Sequence, residues 1–294
     1  MTGSLLLVLA HGTRPDQSPW RWDPHLDVLA VMAVVAGLYV VAFRVVAPRV
    51  LRPGEERISR RQLRMLVIAL GLLYLFSAWP AHNLAEGFSY TVHMVQHSVY
   101  TLVVPPLLIL GTPAWLWRWG LSPVMPLFRR AVRPWVAVLV YSLVTTATHL
   151  PVLADSAVRS GPSHLAQHTA LVLAALAAWW PLTSPLPELP RIRAPRRQIV
   201  YLFFLSLAPS VAGSWLIWAT EPLYAAYEPF PHLFGWDTLE DQQTGGLVME
   251  LAEGLVIWGL VVVVFLKVAR RELRGDRPPE RDDSIDAPVS EPVG

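Results

Sequence analysis

The sequence predicts an all-α, polytopic membrane bundle of seven transmembrane helices, with the N-terminus outside and the C-terminus inside. Three observations predict it. Apolar residues make up 53% of the 294-residue chain, and the mean hydropathy is +0.40. The apolar residues fall in runs near the roughly 20 residues that a spanning helix needs. Arg and Lys are confined almost entirely to alternate loops, as the positive-inside rule expects. No stretch alternates strictly between polar and apolar residues, so a membrane barrel is not indicated.

The spans read as 26–46, 63–80, 90–110, 133–150, 163–182, 199–217 and 246–268. The loop after the first holds Arg49, Arg52, Arg57, Arg60, Arg61 and Arg64. The loop after the third holds Arg118, Arg129, Arg130 and Arg133, and that after the fifth holds Arg191, Arg193, Arg196 and Arg197. Lys267, Arg270, Arg271, Arg274, Arg277 and Arg281 follow the seventh. The opposite loops hold only Arg14, Arg21 and Arg159. This topology accounts for the pI near 9.1, so no nucleic-acid partner is expected. Trp20, Trp22, Trp79, Trp115, Trp179, Trp218 and Trp236 cluster near span ends, the depth that amphipathic rings prefer. Pro105-Pro106 should kink the third span and Pro209 the sixth, because proline removes a helical hydrogen bond.

Residues 1–275 read as one membrane domain and 276–294 as a disordered cytoplasmic tail, Pro-rich and acidic with little to bury. Leu5–Ala10 is apolar but short and follows no basic residue, so it reads as an uncleaved start. Were it cleaved after Ala10, the amine and imidazole of His11 could chelate one copper ion.

The nine histidines lie on the side opposite the basic loops. His is the commonest protein ligand for transition metals. His93 and His97 open the third span at i and i+4, which places both rings on one helix face. His164 and His168 repeat the spacing at the start of the fifth, and His149 ends the fourth. Antiparallel packing brings these five imidazoles to one depth, and they form the expected metal site. His82 is a possible supporting residue, whereas His25 and His232 read as solvated. Asp241 precedes the seventh span, and Glu250 and Glu253 lie inside it. These acids read as orienting partners, as direct ligands, or as neutral acids paired with neighbouring hydroxyls, since a charge at that depth is costly. Met94 and Met249 are possible soft ligands. The chain has no Cys, which removes disulfides, thiolate metal sites and thioether haem attachment. Copper suits a His and Met donor set. A His-ligated zinc hydrolase assisted by Glu250, Glu253 or Asp155, and a bis-His haem electron carrier, are the alternatives.

The block from His93-Met94-Val95-Gln96-His97 to Pro105-Pro106 and Gly111-Thr112-Pro113 resembles the CtaG family of cytochrome c oxidase assembly factors. His149-Leu150-Pro151, the His164 and His168 pair, Trp179-Trp180-Pro181 and the segment 241–249 (DQQTGGLVM) are similar to that family in the same order. The likeness runs from about residue 22 to 267 and does not extend to the Cys-containing copper chaperone of the same name. Glu250 departs from it, since an aromatic residue often stands there. The resemblance implies an integral protein of a bacterial cytoplasmic membrane that helps to mature a haem–copper oxidase. With the histidines, it implies copper handling at the outer face. The expected partners are oxidase subunits or other copper-handling proteins, and no catalytic residue is assigned.

Overall fold

The computed structural model describes residues 16–273. His11 and the acidic tail lie outside the described residues. Every regular element among those described is helical.

Helix α1 (26–50) is almost bare of contacts along its upper part. Its lower end buries Ala42, Val46 and Ala47 against Trp115. Helix α2 (Arg60–Ser77) starts at a capping box, in which Ser59 accepts from the Gln62 amide and Gln62 accepts from the Ser59 amide. That pairing satisfies two end groups of the helix. After the Trp79-Pro80 peptide the chain bends by 52° into α3 (Ala81–Phe88).

Helix α4 (Tyr90–Gly111) carries the first histidine pair and runs into Pro105. Proline cannot donate to the carbonyl four residues earlier. The chain widens into a π turn at Val99–Val103, and the freed Thr101 carbonyl accepts from the Trp179 indole at 2.7 Å. At the predicted kink the described helix carries this π turn, and the carbonyl freed by Pro105 is satisfied. Helices α5 (Ala114–Ala131) and α6 (Pro134–Thr148) meet at 87°, so α5 lies across the end of α6. A short α7 (Pro151–Arg159) leads into α8 (Gly161–Thr183), and α9 (Pro195–Ile217) follows. Trp180 is fully buried and receives the edges of Trp117 and Phe128.

Helix α10 (Thr238–Leu273) begins well before the expected position 246. Asp237 and Glu240 form a capping box that starts it in a polar stretch. Hydropathy is blind to such a turn. Helix α10 packs tightly on α9 where two glycines meet. A Cβ on Gly246 would stand 2.8 Å from the Gly213 carbonyl oxygen, closer than real contacts allow, so any side chain there must push the helices apart.

Among the described residues, α1, α4, α8, α9 and α10 are long and apolar enough to cross a membrane. The number rises to seven if the bent pairs α2–α3 and α5–α6 are each one span. The up-and-down order puts the starts of α4, α8 and α10 at one end with the close of α6. The Arg-rich connections lie at the other end.

Candidate metal centre

The start of α4 is held by α10. Helix N-termini leave amides without partners. Here the Asp241 carboxylate accepts from the Ser89 hydroxyl at 2.9 Å and from the backbone amides of Tyr90 and Thr91. Asp241 is thus a structural clamp on α4, and the first two turns it fixes carry His93 and His97.

The His93 and His97 rings lie 4.3 Å apart, and the His164 and His168 rings 4.0 Å apart. The two pairs face each other. The Nε2 atom of His168 is 3.0 Å from His97 Nε2 and 2.9 Å from His164 Nε2. His93 is 5.3 Å from His168, ring to ring, and His149 is 5.8 Å from His97. The five histidines expected from sequence are therefore neighbours. Among the described residues, the donor atoms of His93, His164 and His168 all lie within 4.8 Å of one another, as do those of His82, Glu86 and His164.

Two rings have their tautomers set by acceptors. The Thr145 carbonyl can only accept, so His149 donates from Nδ1 at 2.7 Å. Its Nε2 is left as a buried lone pair with no partner among the described residues. Glu86 Oε1 accepts from His164 Nδ1 at 2.9 Å, which leaves His164 Nε2 as a lone pair aimed at His168. This is the carboxylate–histidine arrangement that orients metal ligands. His168 brings at most one N–H at Nε2, yet two imidazole nitrogens stand within 3.0 Å of it. With neutral rings, at most one of those contacts is a well-aligned hydrogen bond. A shared cation, whether a proton or a metal ion, removes the conflict. The donor set therefore fits a metal.

Residues 37–271 match the model of the cytochrome c oxidase caa3 assembly factor family. The chain belongs to that family. No curated protein and no solved structure compared with it matches.

In this assembly factor the sequence reading missed Glu86 and the burial of His25. Glu86 also accepts from His82 Nε2 at 2.9 Å, so His82 is part of the cluster. The H-x-x-x-E spacing of His82 and Glu86 was a readable signal, obscured because the span breaks there. His25, expected to be solvated, is instead 2% exposed. Its Nε2 contacts Asn83 Oδ1, and its ring meets His82 at 4.7 Å. Burial and the neighbouring His82 hold its pKa below the usual imidazole range. Nothing in the sequence near His25 announced this contact. His232 is exposed, as expected.

The acids of α10 part company. Glu250 accepts from Ser214 at 3.0 Å and Ser210 at 3.2 Å, on α9. That matches the hydroxyl pairing weighed from the sequence. Glu253 is buried and lines a cavity of about 30 Å³ with His97, His149, Tyr141, Thr145 and Met249. That volume admits roughly one water. Met94 is 1% exposed and packs among Tyr90, Leu216 and Tyr224, while also bordering a smaller cavity beside His93 and His168. Asp155 accepts from the Ala226 amide at 3.1 Å, which ties the 218–237 connection down over the cluster. The same connection sends the Tyr224 hydroxyl to the His149 carbonyl at 2.9 Å. The His97 and His168 nitrogens, 3.0 Å apart, leave no gap between them for a porphyrin, whose two axial bonds of about 2.0 Å each would need more.

Proposed function

We propose that this assembly factor binds copper through His93, His164 and His168, with His97 and His149 as adjoining ligands, and yields it to a maturing cytochrome c oxidase. One observation carries the reading: the ring nitrogens of His97 and His164 each stand 2.9–3.0 Å from His168 Nε2, with too few protons to make both contacts hydrogen bonds, and the His93 donor lies within 4.8 Å of those of His164 and His168. Imidazole binds both copper states, and thioether sulfur favours Cu(I). Met249, at the cavity beside His97, and Met94, at the cavity beside His93 and His168, are the sulfurs near the cluster for the reduced ion. Copper is cargo in this reading, so no turnover is implied, and the partners are oxidase subunits or other copper-handling proteins at that face.

The arginine-rich loops support a topology with N-terminus outside, C-terminus inside and seven spans, because basic loops stay cytoplasmic. The cluster then opens at the outer face of a bacterial cytoplasmic membrane. Reporter fusions after Arg61 and Arg197 should mark the cytoplasm, and one after Ser160 the outside. The reverse pattern would put the histidines on the cytoplasmic side and remove delivery to an outward-facing centre.

A deletion strain should still make oxidase subunits but show low oxidase activity. Added copper should restore part of it, because mass action can replace a weak delivery step. Full activity in the deletion strain, under conditions where that oxidase is expressed, would overturn the reading.

A further inference from the structure

The cluster contains a second group of donors that the five-histidine site does not use. His82 Nε2 and Glu86 Oε1 are 2.9 Å apart, and His164 Nδ1 is 2.9 Å from the same carboxylate oxygen. All three donors lie within 4.8 Å of one another. His164 belongs to both groups, presenting Nδ1 to Glu86 and Nε2 to His168. An imidazole ring can hold one ion at each nitrogen, so a ring placed in this way joins two positions without moving.

A separate observation points at the same place. His25 contacts Asn83 Oδ1 through Nε2. The amide oxygen can only accept, so Nε2 carries the proton and Nδ1 is a bare lone pair. That Nδ1 is buried without a hydrogen-bond partner among the described residues. Its ring stands edge-on to His82 at 4.7 Å. An orphaned buried acceptor is costly, and a cation beside His82 would satisfy it. His25 lies before residue 37, where the family match begins.

Resting on the copper reading above, we infer that His82, Glu86 and His164, supported by His25, form a second metal position that shares His164 with the first. The mixed nitrogen and carboxylate donors suit a divalent ion such as Cu²⁺ or Zn²⁺. The second ion takes the place of the protons at His82 Nε2 and His164 Nδ1: the first moves to Nδ1 of the same His82 ring, and the second leaves to solvent, so that His164 bridges the two positions as an imidazolate and one proton is released as the ion binds. His82 is the more exposed member of the group, at 13% for its side chain against 5% for His164. His82 is therefore the edge of the second position that an arriving ion meets first.

The test is Cu²⁺ binding by equilibrium dialysis of the detergent-purified full chain, with elemental analysis. Wild type should hold two ions per chain. His82→Ala and Glu86→Gln should each hold one, and so should the His93→Ala, His168→Ala double variant, which keeps the second position. His25→Ala, at the margin of the cluster, should weaken one of the two ions by about tenfold and leave the other unchanged. That variant serves if a cluster variant does not fold. One ion in wild type that is lost in His168→Ala would remove the second position and leave the copper reading intact. Two ions persisting in both His82→Ala and Glu86→Gln would also overturn it. No ion in wild type would remove both.

Discussion

His168→Ala should abolish stoichiometric copper at the all-histidine position while leaving the folded yield near that of wild type. His168 is the middle of the nitrogen row, 3.0 Å from His97 and 2.9 Å from His164. Its removal takes away the nitrogen that both of those rings contact. Losing a residue that only orients a ligand already costs about 10–100-fold in metal affinity, and losing a ligand should exceed that. The fold should tolerate the change, because the ring's contacts include one that neutral imidazoles cannot satisfy. Elemental analysis of the purified variant gives the copper content, equilibrium dialysis gives the affinity, and circular dichroism checks the fold. In cells, oxidase activity should fall to that of the deletion strain. A His232→Ala variant, altered at an exposed position, should behave as wild type. Unchanged copper at the all-histidine position in His168→Ala would remove the proposed ligand set.

Asp241→Ala should cause the largest loss of stability among substitutions of the acids. The buried carboxylate accepts from one hydroxyl and two backbone amides at the start of α4. Hydrogen bonds to a charged group contribute about 1.5–3 kcal/mol each, and abandoned buried donors add to the cost. A loss of about 3 kcal/mol or more is expected on that basis. Asp241→Asn, which keeps one acceptor oxygen, should lose less. Thirteen tryptophans make the thermal midpoint readable by intrinsic fluorescence. The Ala variant should also lose copper, since the turns that carry His93 and His97 are no longer fixed. An unchanged midpoint for Asp241→Ala would show that α4 is held by other contacts. Glu250→Gln offers a contrast, because an amide oxygen can still accept from Ser210 or Ser214, and its midpoint should move little.

The spacing of His93 with His97, and of His164 with His168, was legible because i,i+4 neighbours share a helix face whatever the helix packs against. The same arithmetic applies to His82 and Glu86, but there the apolar run breaks at Trp79-Pro80 and helical spacing could not be assumed. The start of α10 was misplaced for a related reason. A capping box in a polar segment is a local hydrogen-bond pattern, and a hydropathy window averages it away.

The sequence by itself determined a helical membrane protein, the alternation of basic loops and the five histidines brought to one end. Those properties follow from apolar length, charge placement and helical period, which need no knowledge of neighbours. The tertiary structure alone decided which nitrogen His25, His149 and His164 offer. It also decided that His25 is buried, that Asp241 clamps α4, and that Glu250 and Glu253 face different surroundings. Each of these depends on an acceptor or a cavity wall supplied by a distant segment: Asn83 for His25, the start of α4 for Asp241, and the α9 serines for Glu250. Helical periodicity fixes the direction of a side chain, whereas its protonation and partner are set by what the fold places opposite it.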